Sequence, residues 1–519
     1  VRRQSLSRNV FTNSAAYLIT LAAAFVMFPI MIHKLGAARY GLWMLISEVT
    51  AYYSYVGLGI RAGVVYYAAS YLAQQNHRDL NQIVSTSFWS LAGTGLVLAA
   101  ATLGLVSVFP AIFGSGGLDP KETSNSILIL GCTIALSLPV EALNSTLTAA
   151  KRLDVVNGIE IVIRMVSSAA TLVCVLQGGG LVALSFVQLG TRVFTAPWTY
   201  VATRRILAGL SLDPRLFRLS RLGQLVRFGL PSVIMGVGWV VSSRTDLVVI
   251  GMALGVSSIA YYAVPRSLMD YADAGIRAVT LSFTSHLTHL RAEERIKDAI
   301  QLYLGGTRIA SLAAFLLTAY ILAFGTTFLA LWQGDAFVSG PWPNRSSVVL
   351  LILVAAFLPR LVNNMTTQWF YAMNHLAVPM WISVVEGIVK ISLSFALVWR
   401  YGLAGVAISN LIPMLIFEGV AIPLYMLRRF ALPRRQFLKD AIGRPLFAGI
   451  PAYLAGALLI MWHQPSGWPM FILEAALAGI VGISALVAIG VTRHDRDEFI
   501  VWLHSWTTKR QRPASLPQG

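Results

Sequence analysis

The chain has 519 residues, of which 56% are hydrophobic and only 12% charged. Soluble domains carry about 25% charged residues, so this sequence lacks the polar side chains to cover a surface in water, and a soluble globular class is excluded. Its 40 Lys and Arg against 22 Asp and Glu give a formal charge of +18. The basic residues lie between apolar segments, which points to membrane topology and away from nucleic-acid binding.

The first apolar segment follows VRRQSLSR and runs from Val10 to Ile32 without a charged residue. It is longer than the roughly 7–15-residue core of a secretory signal and can span the ~30 Å hydrocarbon layer, so it reads as a retained first helix. Further runs of spanning length follow near 42–65, 83–110, 124–149, 155–176, 181–203, 228–252, 256–281, 301–326, 346–371, 378–399, 403–427, 446–463 and 469–491. The expected fold is an all-α polytopic membrane protein of about 14 transmembrane helices. With the N-terminus inside, the cytoplasmic segments hold 26 Lys and Arg and the outer loops 5. That asymmetry is the positive-inside pattern, and it places both ends in the cytoplasm.

Two basic connectors divide the chain. DPRLFRLSRLGQLVRFG spaces Arg215, Arg218 and Arg221 by three with leucines between them, the pattern of an amphipathic helix on a membrane surface. RRFALPRRQFLKDAIGRP sets off the last two helices. The expected organisation is a six-helix lobe at 1–203, a linker at 204–227, a second six-helix lobe at 228–427, a loop with an extra helix pair at 428–492 and a basic tail at 493–519.

The two lobes repeat one another. Leu35-Gly36 matches Leu254-Gly255, and GIRA at Gly59–Ala62 matches GIRA at Gly275–Ala278. FGSGG from Phe113 faces WQGD from Trp332. The pattern L-P-x4-N-x-T opens at Leu138 and again at Leu358, and Gly180-Leu181 matches Gly402-Leu403. The separation stays within 216–222 residues. The first twelve helices therefore read as two six-helix repeats of like orientation, and carriers built from such repeats bind cargo where the repeats meet.

Nine basic residues fall inside apolar runs: Arg61, Arg164, Arg192, Arg244, Arg266, Arg277, Arg308, Arg360 and Lys390. Arg266, Asp270, Asp273 and Arg277 share one helical face. Each charge at the bilayer centre costs about 2.5–3.5 kcal/mol, so that face must look into protein or a watery cavity. Glu48, Tyr52, Tyr55 and Gly59 form a milder stripe, with Arg61 off it. Arg61 and Arg277 come late in their helices, where snorkelling is an equal reading. Glu160 with Arg164 and Glu386 with Lys390 stand four apart and read as locally neutralised pairs. Guanidinium forks suit phosphate and pyrophosphate, while Glu48, Asp246, Asp270 and Asp273 are candidates for Na+ or H+ coupling. No cofactor or metal is implied. The stretch GSGGLDPK lacks the glycine a Walker loop needs before its lysine. His286 and His289 have no further ligand nearby. Asp495-Arg496-Asp497 reads as a solvated charge run. Trp502 and Trp506 suggest a surface helix in the tail.

KLGAARYGLW at Lys34–Trp43, GLGIRAG at Gly57–Gly63 and TDLVVIGMALGVSSIAYYAV at Thr245–Val264 carry a resemblance. On these the chain resembles the Wzx-like polysaccharide flippases of the multidrug/oligosaccharidyl-lipid/polysaccharide exporter superfamily, from about residue 8 to 490. The resemblance implies two lobes around a central cavity, with helices one, two, seven and eight in its lining. It implies an undecaprenyl-pyrophosphate-linked oligosaccharide moved from the inner to the outer leaflet of a bacterial cytoplasmic membrane. It also implies membrane lipids and polysaccharide-assembly proteins such as a polymerase as partners. By helix position it puts Arg61, Arg244, Arg266 and Arg277 on the pyrophosphate, and Tyr52 and Tyr55 fit stacking on sugars. Helix one departs from the family in carrying no charge between Val10 and Ile32. A multidrug–cation antiporter of the same superfamily is the second reading, though cationic drugs favour an acidic cavity. A membrane glycosyltransferase or polymerase is the third, and the outer loops are short for one.

Overall fold

The computed structural model describes residues 6–114 and 117–490. Arg2, Arg3 and the basic tail at 493–519, with Asp495, Arg496, Asp497, Trp502 and Trp506, lie outside the described residues. Among the described residues there is no strand. The first helices are α1 (Leu6–Ala51), α2 (Tyr53–Val56), α3 (Leu58–Ala73), α4 (His77–Phe113), α5 (Pro120–Ala149), α6 (Leu153–Leu176) and α7 (Leu181–Ile206). They are followed by α8 (Leu219–Arg244), α9 (Asp246–Leu254), α10 (Val256–Ala292), α11 (Ile296–Gln333), α12 (Ser346–Val362), α13 (Asn364–Met373) and α14 (Ala377–Pro413). A π-helical stretch, Met414–Ala421, leads to α15 (Ile422–Arg429) and α16 (Arg434–Gln436), and α17 (Arg444–Trp462) and α18 (Trp468–Ala485) complete the order. Among the described residues, eight helical runs are long and apolar enough to cross a membrane, and nine when Leu219–Leu230 and Ser232–Arg244 count as one bent span. This fits a polytopic membrane protein, because a helix satisfies its own backbone hydrogen bonds in lipid.

Several expected loops are only kinks. At Gly36 the chain turns inside α1 with φ 79° and ψ 160°, and at Gly255 between α9 and α10 it turns with φ 82° and ψ 164°. This conformation is barred to side chains with a Cβ. Nothing lies within 4 Å of where a Cβ would stand at either site, so backbone conformation alone demands glycine there. Other left-handed positions recur at similar spacing. Gln75 (φ 54°) and Glu294 (φ 58°) stand 219 residues apart, and Gly114 (φ 67°) and Gly334 (φ 92°) stand 220 apart.

The residues divide into two compact units. The first takes in Val1–Leu268, Ser339–Leu353 and Leu376–Pro413. In it α3 packs on α4, α5 and α8, while α14 packs on α8 and α9. Its core includes Ile60, Val64, Ile83, Leu91, Leu138 and Leu225. The connector after α7 is strapped to one face of α4. Asn81 Nδ2 donates to Gly209 O at 3.0 Å, Ser85 Oγ to Ser211 O at 2.7 Å and Trp89 Nε1 to Leu212 O at 2.9 Å. The three arginines of the connector are therefore not on one separate helix. Arg215 sits in a single 3₁₀ turn, Arg218 precedes α8 and Arg221 lies in its first turn. Side-chain bonds from α4 hold the connector's backbone where a surface helix was expected.

The second unit takes in Met269–Val338, Val354–His375 and Met414–Gly519. Here α17 and α18 pack on α11, with Phe324, Phe328, Trp468 and Phe471 in mutual ring contact. Tyr320 OH donates to Ala475 O at 2.8 Å, so the polar tip of a partly buried ring is satisfied between α11 and α18.

The α3–α8 crossing is set by glycine. A Cβ on Gly229 would run into the backbone of Gly59, while one on Gly275 would meet nothing within 4 Å. Gly229→Val should therefore overpack the crossing and destabilise the protein by about 1–3 kcal/mol or more. Gly275→Ala should be neutral or stabilising by up to ~1 kcal/mol. Thermal unfolding of the detergent-solubilised protein checks this, and equal behaviour of the two variants would refute the backbone crossing.

Candidate functional site

The site forms where the seventh apolar run breaks. α8 ends at Arg244 and α9 begins at Asp246, with Thr245 between them at φ −87° and ψ −18°. A helix end leaves its last carbonyls without intrahelical donors, and in lipid no water replaces them. Three side chains supply the missing bonds. Lys390 Nζ from α14 donates to Ser242 O, Arg266 Nη2 from α10 to Ser243 O at 3.0 Å, and Tyr52 OH to Arg244 O at 2.8 Å.

The same cations hold the carboxylate that opens α9. Lys390 Nζ lies 2.9 Å from Asp246 Oδ1, and Arg266 Nη1 donates to Oδ2 at 2.9 Å. Tyr262 OH donates to that oxygen at 2.8 Å and Asn410 Nδ2 at 3.1 Å. Asp246 at the first turn also meets the positive end of the helix. Ser242 Oγ donates to Glu386 Oε1 at 3.2 Å. Asp246 is 3% exposed and Lys390 2%. Two carboxylates and two cations leave the cluster formally neutral, which is the condition for burying charge at all.

Glu48 and Arg244 lie beside this joint, with Arg244 Nη1 3.1 Å from Glu48 Oε2. Glu48 is buried, whereas the Arg244 side chain is 44% exposed. A second break, between α1, α2 and α3, is closed in the same manner. Arg61 Nη2 donates to Ser54 O at 3.0 Å, and its Nη1 lies 3.3 Å from Glu141 Oε2. Tyr55 stands half-buried in the short α2.

In the second unit, Arg277 Nη2 lies 3.3 Å from Asp273 Oδ2, and Asn364 Nδ2 donates to Asp273 Oδ1 at 2.9 Å. Thr366 Oγ1 and Tyr303 OH are 2.9 Å apart. The second N-x-T motif thus fixes both Asp273 and α11. Arg277 keeps a side chain 49% exposed, and Asp270 is exposed.

The structure brings Tyr52, Glu48, Arg244, Asp246 and Arg266 together in the first unit, and joins Asp273 to Arg277 in the second. Arg61 has a separate partner in Glu141. Two expected local pairs are replaced by tertiary ones. Lys390 reaches Asp246 across helices, and Glu160 lies 3.8 Å from Arg192. Tyr262, Asn410 and Glu141 were not singled out from sequence. A lone amide or hydroxyl in an apolar helix carries no periodicity to mark it, and the carboxylate of Glu141 has no basic residue three or four positions away.

Comparison with known proteins follows from this geometry. Residues 35–339 match the family described as "Polysaccharide biosynthesis protein". The chain is similar to the "Uncharacterized membrane protein EpsK" of Bacillus subtilis (strain 168), at 21% identity over 89% of this chain and 91% of that protein. It is similar to the "Probable flippase AglR" of Haloferax volcanii, at 22% identity over 86% and 88%. Among solved structures, the lipid II flippase MurJ in an inward closed conformation matches with TM-score 0.70 and 12% identity, over 91% of this chain and 97% of that one. An inward-facing multidrug resistance MATE family transporter matches with TM-score 0.64 and 14% identity, over 80% and 99%. At these identities the two structures speak to the fold.

The geometry separates two arginines that sequence spacing had grouped. Arg266→Ala removes a donor to a freed carbonyl and one cation from a buried carboxylate, and should destabilise by about 3–5 kcal/mol. Arg277→Ala removes a half-exposed pair and should change stability by less than ~1 kcal/mol. Expression level and thermal unfolding in detergent check the contrast, and equal losses would contradict the pairing described.

Proposed function

The chain belongs to the polysaccharide biosynthesis protein family, and from that premise we propose that it flips an undecaprenyl-pyrophosphate-linked oligosaccharide from the cytoplasmic to the outer leaflet. The observation that carries this reading is the half-exposed guanidinium of Arg277 in α10, a span in this reading, paired with Asp273, whose other oxygen accepts from Asn364. A charge kept open at such a position is a functional group by default, and guanidinium suits a pyrophosphate. The similarity to a protein named as a flippase supports the same reading.

In this reading the chain has 14 spans, with two six-helix lobes, at 1–203 and 228–427, around a central cavity that opens alternately to each side. The matched left-handed positions at Gly36 and Gly255, Gln75 and Glu294, and Gly114 and Gly334 support the duplication. Both ends lie in the cytoplasm of a bacterial cell, the linker at 204–227 joins the lobes, and the pair at 428–492 guides the lipid tail. Arg277 grips the pyrophosphate, while Arg244, Tyr52 and Tyr55 offer cargo contacts in the first unit. Arg61 and Arg266 support the backbone of the site. Asp246 belongs to the joint, which leaves Glu48, Asp270 and Asp273 for Na+ or H+ coupling. A polysaccharide polymerase receives the product. The second reading, a multidrug–cation antiporter, is favoured by the MATE-like fold.

Deleting the gene should strand lipid-linked glycan on the cytoplasmic leaflet. Complementation with Arg277→Ala should lower its delivery at least about tenfold at normal protein level, the loss of ~1.4 kcal/mol of charge-assisted bonding. Measured by leaflet-specific labelling, undiminished delivery in the deletion strain would defeat the flippase reading. Lost efflux of a cationic dye in the same strain would favour the antiporter.

A further inference from the structure

A cleft of about 510 Å³ opens in the first unit among α3, α5, α6 and α8. Ligand sites are commonly about 300–1,000 Å³. Its ionised wall groups are Arg61, Glu141 and Glu160, with Asn144 and Thr148 between them. Arg61 is already engaged by Glu141 at 3.3 Å. Glu160 is likewise engaged by Arg192 at 3.8 Å, so a phosphate entering here would have to displace a carboxylate from its guanidinium. A neutral polyol would not. Carboxylate oxygens accept from hydroxyls, and the amide and the threonine hydroxyl both donate and accept.

A second observation points to the same ligand. Tyr66 follows the lining residue Val65 and lies one turn from Ala62, while Phe228 lies one turn from the lining Ser232. The rings of Tyr66 and Phe228 stack at 4.5 Å with an interplanar angle of 22°. Tyr67 packs edge-on against Phe228 at 5.5 Å and so fixes the stack. Even so, Tyr66 is 56% exposed and Phe228 39%. The electron-rich face of an aromatic ring attracts the C–H face of a sugar, as it does the positive edge of another ring.

We infer that this cleft, with the neighbouring Tyr66–Phe228 stack outside its wall, is a sugar subsite, which takes one neutral hexose ring of the cargo in preference to its pyrophosphate. The inference deepens the flippase reading and rests on it for the identity of the cargo. It adds to the backbone role of Arg61 that of orienting Glu141 toward sugar hydroxyls.

The test uses the full chain in nanodiscs, with Cys132→Ala and Cys174→Ala removing the native thiols and Thr148→Cys placing one in the cleft. The probe is a water-soluble short-prenyl pyrophosphate carrying one neutral hexose, and the control is the same compound without the hexose. The hexose probe should slow maleimide labelling of the introduced thiol at least about fivefold, and the control should leave it unchanged. Tyr66→Ala and Phe228→Ala, both at exposed positions, should each raise the probe concentration needed about tenfold. Equal protection by both compounds, or by neither, overturns the subsite, as does protection indifferent to both aromatic variants. Leaflet transfer of a long-chain cargo, measured separately, addresses the flippase reading. Transfer without hexose-specific protection sinks the subsite alone, and protection without transfer sinks the flippase reading alone.

Discussion

The first unit depends on how a broken helix is closed inside an apolar layer. Ser242, Ser243 and Arg244 lose their helical donors at Thr245, and Lys390, Arg266 and Tyr52 replace them. An unsatisfied carbonyl in hydrocarbon costs several kcal/mol, so three such groups would exceed the stability available to most folds. Carriers with discontinuous helices often leave freed backbone carbonyls to bind ions. Here the chain's own ammonium and guanidinium take them. Asp246 and Glu386 together then balance both cations, and the break becomes a joint that joins α8, α9, α10 and α14.

This joint explains why charge is so sparingly used and so well placed. Glu386, Asp246, Lys390 and Arg266 balance within one buried cluster, whereas Arg244 and Arg277 keep their guanidinium groups partly open. Buried pairs give organisation more than net stability, and a half-exposed guanidinium is the part that can meet an anionic cargo. The division of labour follows burial, not residue type. Arg61 and Arg277 occupy the same place in the repeated GIRA word. One closes a helix break against Ser54 and Glu141, and the other stands half-open beside Asp273.

The all-helical, many-span class was legible because lipid imposes long apolar runs. Leu35-Gly36 and Leu254-Gly255 were visible as words and prove to share a backbone conformation. The breaks at Tyr52 and Thr245 were not legible, since neither site has a proline or glycine to signal that the helix stops. The partners of the site were half-legible. Intramembrane charges stand out in an apolar sequence, but their pairing does not. Spacing favoured Glu386 with Lys390, yet a lysine's long stem reaches the neighbouring helix, where a carboxylate and a freed carbonyl both wait. Connector geometry was lost for a related reason. The donors that hold residues 209–212 come from α4, more than 120 residues earlier.

The most direct test of the joint is a double-mutant cycle on Asp246 and Lys390, read as unfolding free energy of the detergent-solubilised chain. Asp246→Asn alone leaves an excess buried cation, and Lys390→Met alone leaves an excess buried carboxylate, so each should cost about 3–5 kcal/mol. The double variant restores neutrality through Arg266 and Glu386, and should be more stable than the sum of the singles by roughly 1–3 kcal/mol. Additive losses within ~0.5 kcal/mol would contradict the account.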